Sequence, residues 1–207
     1  MVESVYISNP DYQSVLSMPD VALEITLITP EEMKGISQMV TPPGALAVCK
    51  IPPESPVPQQ ISGKVFFYLD AIRDPGNMGT ILRNADWFGM EYIFLSPDCT
   101  DIYNHKVIQA SMGSALRVKT CVIDADKLHT LGAALYVCDT GGESIRHMDP
   151  PDEGIFVLGN ESQGVSLALR EYAVKVYAIS GVKSLGAESL NVASVSAIVG
   201  AWLQNES

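Results

Sequence analysis

Leu69-Asp70-Ala71-Ile72-Arg73-Asp74-Pro75-Gly76-Asn77-Met78-Gly79-Thr80-Ile81-Leu82-Arg83-Asn84-Ala85-Asp86-Trp87-Phe88-Gly89 continues the unbroken apolar run Val65 to Leu69. A short apolar run without alternation fits a strand covered on both faces. The chain then turns at Pro75-Gly76, Asn77 is a capping residue type, and a helix is expected to run on to Gly89, where helices commonly stop. The free backbone N–H groups at such a helix start can bind an anion. Arg83 follows Asn77 by six residues, close to two helical turns, so both are expected on one side of the helix, with Arg83 reaching back to the loop.

The same unit recurs outward from this segment. Apolar runs at Tyr92 to Leu95, Val118 to Val122, Ala134 to Val137, Ile155 to Leu158 and Val174 to Ile179 are separated by helical stretches. They predict an α/β domain with a mainly parallel sheet, whose ligand site lies beyond the carboxyl ends of the strands. The last element, Asn191 to Leu203, places Val192, Val195, Val199 and Trp202 on one stripe with Ala193, Ala197, Ile198 and Ala201 around it. A helix this apolar is buried or lies in a subunit interface.

Upstream, Pro52, Pro53, Pro56 and Pro58 make Ile51 to Ser62 an extended linker. Before it, apolar runs at Ser4 to Ser8, Ala22 to Ile28 and Gly44 to Lys50 flank a helix candidate from Pro30 to Met39. The expected organisation is a small α/β domain over 1–55, a Pro-rich linker over 56–63 and the main domain over 64–207.

The whole chain has 207 residues, 47% hydrophobic and 18% charged, which excludes disorder, collagen and coiled coil for most of it. Thirteen Lys and Arg against 24 Asp and Glu leave a net charge of −11, which argues against a protein that wraps duplex by charge alone and leaves room for a local basic patch. Cys49, Cys99, Cys121 and Cys138 lack metal-binding spacing and are expected to be reduced and mostly buried. No run approaches the ~20 apolar residues of a membrane span, and no basic-then-apolar leader opens the chain. A cytoplasmic protein without metal or membrane is expected.

Two further segments carry chemistry-bearing residues. Ile155-Phe156-Val157-Leu158-Gly159-Asn160-Glu161-Ser162-Gln163-Gly164-Val165-Ser166 ends a buried strand in a loop with glycines at both ends. Gly186-Ala187-Glu188-Ser189-Leu190-Asn191-Val192-Ala193-Ser194 leads into the last helix. Neither is a dinucleotide fingerprint or a Walker loop. Taken singly, each segment also reads as an ordinary turn or capped helix.

Taken together, Asn77-x-Gly79-x-x-x-Arg83-x-Ala85-x-x-Phe88-Gly89, Leu158-Gly159-x-Glu161-x-x-Gly164 and Glu188-Ser189-Leu190-Asn191-Val192 closely resemble the three ordered motifs of the SpoU/TrmH group of SPOUT RNA methyltransferases. Ala110-Ser111-Met112-Gly113-Ser114 resembles a lesser signature of that group, and the stretch before the third motif departs from it by lacking a Pro after Ile179. The resemblance implies a C-terminal trefoil knot, a homodimer through the knotted region and last helix, and a shortened L30-like substrate-binding domain in the N-terminal part.

It further implies transfer of methyl from S-adenosylmethionine, leaving S-adenosylhomocysteine, to a ribose 2′-hydroxyl of rRNA or tRNA. Leu158, Gly159, Asn160, Gly164, Ile179, Ser189 and Leu190 would line the cofactor pocket. Arg83 would stabilise a developing alkoxide, Asn77 would position Arg83 or the ribose, Glu161 would orient a neighbouring partner, and Ser189 and Asn191 would hold the hydroxyl. Arg73, Arg83, Arg117, Lys119, Arg146 and Lys183 are the candidate RNA-binding cations. A noncatalytic RNA- or ribosome-binding member of the same fold is the alternative, and methylation of a base is a third reading.

Overall fold

The computed structural model describes residues 2–12, 24–181 and 186–204. Residues 22 and 23 of the expected Ala22 to Ile28 run, and the candidate cation Lys183, lie outside these. The chain divides into two compact units, Met1–Pro53 and Glu54–Ser207.

In the first unit, β1 (Val2–Ile7) is central, with β2 (Ile25–Leu27) parallel on one side and β3 (Ala45–Cys49) antiparallel on the other. Helix α1 (Pro30–Ile36) begins where the Thr29 side chain accepts from the Glu32 N–H while the Glu32 carboxylate accepts from the Thr29 N–H, a reciprocal cap. Pro30 occupies the first turn, where no N–H is needed. The helix ends at Ile36 rather than Met39, because Ser37 is already extended. Val5, Ile7 and Met33 are the buried side chains among the described residues of this unit.

The second unit is a six-stranded sheet in which every described pairing is parallel. Its strands are β4 (Val65–Leu69), β5 (Tyr92–Leu95), β6 (Lys119–Val122), β7 (Leu135–Ser144), β8 (Gly154–Leu158) and β9 (Lys175–Ala178), in the order β6-β5-β4-β8-β7-β9. The chain first builds outward from β4 to β6, then returns to the other side of β4, so the order reverses between β4 and β8. Such a switch point is where open parallel sheets place a ligand.

The expected β7 stops at Val137, yet the strand continues to Ser144. Cys138 and Glu143 both pair with Tyr177, so residues 139–142 leave the ladder as an excursion. Alternation along the strands sorts the core into two layers. Phe67, Leu69, Ile93, Phe156 and Leu158 face α2 (Pro75–Trp87), α3 (His105–Ser111) and α6 (Val192–Leu203). Phe66, Tyr68, Phe94, Ile155 and Val157 face the layer that includes Leu128 of α4 (Ala125–His129) and Leu169 of α5 (Leu167–Tyr172).

The C-terminal helix is fixed by Trp202, whose indole N–H donates to the Met148 carbonyl at 2.8 Å while its ring meets Tyr177 at 5.1 Å and 66°. Gly200 lets the Phe88 ring lie against α6, since a Cβ there would stand 2.3 Å from Phe88 Cδ2. The Pro-rich stretch carries no helix or strand, and from Glu54 onward it belongs to the larger unit. Glu54 accepts from the Val122 N–H at 2.9 Å, and Val57 and Ile61 pack on the second core layer.

Of the four free cysteines only Cys121 is buried; Cys49 is exposed and Cys99 and Cys138 are half-buried. The expectation of mostly buried thiols fails at Cys49, which β3 presents to solvent, while the Cys99, Cys121 and Cys138 thiols are wholly or partly buried. No described helix is long and apolar enough to cross a membrane.

Gly79 lets α2 and α3 touch at backbone distance. A Cβ there would lie 2.6 Å from the Ala110 Cβ, 2.7 Å from the Val107 carbonyl oxygen and 2.9 Å from the Ser111 nitrogen. Two of these neighbours are backbone, so the helices must move apart to admit it. Gly79→Ala is expected to cost about 1–3 kcal/mol, read as a lower denaturant midpoint at unchanged slope; an unshifted midpoint contradicts the close approach.

Candidate active site

The site begins where β4 and β8 end side by side. Leu69 pairs with Leu158, so the loops that follow leave the sheet at one level. The Asp70 N–H donates to the Leu158 carbonyl at 2.9 Å, and the buried Asp70 carboxylate accepts from the Ser166 N–H at 2.7 Å. The Asn160 Nδ2 donates to the Ala71 carbonyl at 2.9 Å, while its Oδ1 accepts from the N–H groups of Ser162 and Gln163. Ala71, at φ 53°, takes the left-handed conformation a non-glycine residue seldom adopts.

The loop after β8 closes on itself. Asn160 and Gly164 exchange two backbone hydrogen bonds, at 3.1 and 2.8 Å. A Cβ on Gly159 would lie 2.5 Å from both the Gly164 carbonyl carbon and the Val165 nitrogen. Only glycine fits there, since the obstructing atoms are backbone.

Helix α2 starts three residues earlier than the sequence reading placed it. Asp74 is the N-cap, accepting from the Asn77 N–H at 2.7 Å, and Pro75 fills the first turn. Asn77 is therefore not the cap but lies within the first turn, and its side chain is free for other contacts. Its Nδ2 donates to Glu161 Oε1, and its Oδ1 accepts from Asn191 Nδ2 at 2.9 Å. Asn191 is itself the N-cap of α6, its Oδ1 accepting from the Ala193 N–H at 2.8 Å. One amide thus ties together the three sequence segments.

A cavity of about 350 Å³ lies beside this junction. Leu158, Gly159, Asn160, Gly164, Ile179, Ser189 and Leu190 all line it, as does Glu161. Arg83 does not. It lies on the exposed face of α2 and makes no hydrogen bond or ion pair within the described residues. Six residues at 3.6 per turn leave Asn77 and Arg83 about 120° apart around the helix. The expectation that they share a side, with Asn77 holding Arg83, is corrected on that ground.

Of the other candidate cations, Arg117 is committed to Asp86 at 2.6 Å, and with Ser114 it holds the Asp86 carboxyl below its usual range. The Arg146 guanidinium donates to the Ser180 carbonyl, and Lys119 lies over the Tyr92 ring. Arg73 is exposed and, like Arg83, unpaired within the described residues.

Several lining residues were not anticipated. Cys138, Asp139 and Thr140 come from the end of β7 and its excursion, Tyr177 from β9 and Glu188 from the third segment. Burial pushes the Cys138 thiol up to about 12, so it is inert as a nucleophile. The signal for the β7 residues was the strand run ending in Cys138-Asp139-Thr140-Gly141-Gly142, a second strand end followed by glycines. Asn84 was also missed; its Nδ2 donates to the Ala193 carbonyl at 2.9 Å and the Ser196 hydroxyl at 2.8 Å, holding α2 against α6. Among the described residues no group of His, Cys, Asp and Glu is placed to hold a metal ion.

A parallel sheet with a switch-point cavity walled by strand-end loops and the start of the last helix defines a class that known proteins share. The family model of the SpoU rRNA Methylase family matches residues 64–201, and the chain belongs to that family. An uncharacterized tRNA/rRNA methyltransferase of Synechocystis is 32% identical over 175 residues, 81% of this chain and 62% of that protein. The 23S rRNA (guanosine(2553)-2′-O)-methyltransferase of Bacillus subtilis is 27% identical over 87% of this chain and 72% of its own length. A solved TrmH-family protein of Porphyromonas gingivalis superposes with a TM-score of 0.85 at 30% identity, over 100% of this chain and 83% of that one.

Asn77→Asp tests the junction, because it sets a second carboxyl against Glu161. Stability is expected to fall by about 1 kcal/mol near neutral pH, as for a partly exposed hydrogen bond to a charged group lost and replaced by like charges. The deficit should be largely relieved in the Asn77→Asp/Glu161→Gln double variant, which again sets an amide against a carboxylate. Denaturant titrations of the single and double variants check it, and a deficit unchanged in the double variant would contradict the contact.

Proposed function

We propose that this chain transfers a methyl group from S-adenosylmethionine to a ribose 2′-hydroxyl of rRNA or tRNA. The observation that carries the reading is the Asn77 amide, which brings the three motif segments together beside a cavity of about 350 Å³. That volume suits a small-molecule pocket of ~300–1,000 Å³. The apolar wall of Leu158, Ile179 and Val192 suits a nucleoside, and Asp139, Glu161 and Glu188 suit a cationic donor. The residues present thus fit S-adenosylmethionine. The names of the Synechocystis and Bacillus relatives support the same chemistry and an RNA substrate.

When bound, the donor supplies a methyl on a sulfonium; the new bond forms to the 2′-oxygen, the S–CH₃ bond breaks, the hydroxyl proton passes to solvent and S-adenosylhomocysteine leaves. The protein's task is alignment. Leu158, Gly159, Asn160, Gly164, Ile179, Ser189 and Leu190 hold the donor side. Ser189, and the second Nδ2 hydrogen of Asn191 that Asn77 leaves unused, hold the hydroxyl side. Asn77 and Glu161 keep these segments in register. A guanidinium holds its proton throughout the physiological range, so Arg83, which stands outside the donor cavity on the exposed face of α2, serves from the RNA side of the site as a cation for the adjacent phosphate and the developing alkoxide rather than as a base.

The protein works as a cytoplasmic homodimer. Ile198 on α6 is partly exposed and Trp87 on the neighbouring α2 is 84% exposed, apolar surface that a second copy would cover. The resemblance implies a trefoil knot in the C-terminal part, and residues 1–55 as the shortened L30-like domain that meets RNA, joined by the linker over 56–63 to the methyltransferase domain over 64–207. The noncatalytic reading needs neither a donor cavity nor aligned motif residues, and both favour the enzyme.

The test is incubation with isotope-labelled S-adenosylmethionine and total RNA from cells lacking the protein, followed by complete digestion and mass spectrometry. A labelled 2′-O-methyl nucleoside is expected; a labelled base moves the activity to another branch, and no label with no donor binding supports the noncatalytic reading. In the same assay Arg83→Ala is expected to lower turnover about 10²–10³-fold, the cost of losing one transition-state donor. Donor affinity should change by less than about threefold, because Arg83 lies outside the cavity.

A further inference from the structure

Two walls of the cavity come from segments that no strand pairing joins. One is the loop Gly159 to Val165 after β8; the other is the excursion of β7 at residues 139–142. Arg170, on α5 and absent from the three motifs, bridges them. Its Nε–H donates to the Val165 carbonyl at 3.0 Å, and a terminal guanidinium nitrogen donates to Asp139 Oδ2. Gly164 lies against the pair: a Cβ there would stand 3.4 Å from the Arg170 guanidinium and 3.9 Å from Asp139 Oδ2. The Asp139 side chain is 20% exposed and lines the cavity with two more carboxylates, Glu161 and Glu188.

We propose that Arg170 and Asp139 are the positioning pair that sets the shape and charge of the methyl-donor pocket; this rests on the donor reading above. Only a planar fork can serve both partners, since the Nε–H and the terminal N–H groups point in different directions from one rigid group. The guanidinium also offsets one of three carboxylates in a small space, which otherwise repel one another and splay the walls. Neither residue acts on the methyl group. Their contribution is to donor binding, so it belongs in the donor KM and not in the rate once the pocket is filled.

The experiment compares the full chain with Arg170→Gln, Arg170→Lys, Asp139→Asn and the Arg170→Gln/Asp139→Asn double variant. Donor affinity is measured by calorimetry with S-adenosylmethionine, and kcat and KM by methyl transfer to RNA. Arg170→Gln is expected to raise the donor Kd and KM about tenfold with kcat within twofold. Arg170→Lys, which can keep the contact to Asp139 but not the fork, should recover part of this. The double variant should be no more than about twofold worse than Arg170→Gln, because the pair acts as a unit.

Hydrogen exchange without donor gives a second readout: amides at 139–142 and 160–165 should exchange faster in Arg170→Gln while β4 and β8 remain protected. Unchanged donor affinity and exchange in Arg170→Gln overturn the proposal, as does a loss confined to kcat. Failure of the unaltered chain to bind donor overturns the donor reading instead, and the exchange comparison then decides whether the pair holds the walls. If the Gln variant does not fold, the Lys and Asn variants carry the same comparisons.

Discussion

The architecture depends on the ladder between β4 and β8. Leu69 and Leu158 stand opposite each other as the last residues of adjacent parallel strands. Two loops from distant parts of the sequence must therefore emerge side by side, with their backbone groups needing partners above the sheet. They satisfy one another: Asp70 with Leu158 and Ser166, Asn160 with Ala71. Once these bonds are made, the loop from Gly159 to Val165 has little freedom left, and one cavity wall is set by the same contacts that finish the sheet.

The helices inherit their positions from this point. Because α2 starts at Pro75, immediately after the loop, Asn77 stands within reach of both Glu161 and the N-cap of α6. Asn84, two turns along, repeats the attachment to α6 through Ala193 and Ser196. Two asparagines on one helix thus lock the helix from the first motif to the helix that follows the third. Close backbone approach at Gly79 fixes the opposite flank. Among the described residues no buried side-chain nitrogen or oxygen lacks a partner.

The strands β4, β5 and β8 were legible within a residue because apolar runs bounded by turn residues carry that information locally. The helix start at Pro75 was not, because Asp74 and Asn77 are both capping types and only the backbone geometry chooses between them. The cavity residues of the second and third segments were reached only through the resemblance of the motifs to a known family, since singly each segment reads as an ordinary turn or cap. Asp139 and Arg170 were not, since nothing local says that a strand will break its ladder after Cys138 or that a helical arginine will bridge the gap. The position of Arg83 was misjudged by counting six residues as two turns, when the remainder of a third of a turn is what separates inside from outside.

The chain's two tryptophans occupy opposite environments. Trp202 is 7% exposed and hydrogen-bonded through its indole to Met148, while Trp87 stands almost wholly in solvent on the helix that carries Arg83. For the single chain, the expected emission is accordingly a sum of a blue-shifted, quencher-resistant component and a red-shifted, quencher-accessible one. The first serves as an internal standard for the integrity of the fold. The second reports, without any added label, whatever comes to rest on the outer face of α2.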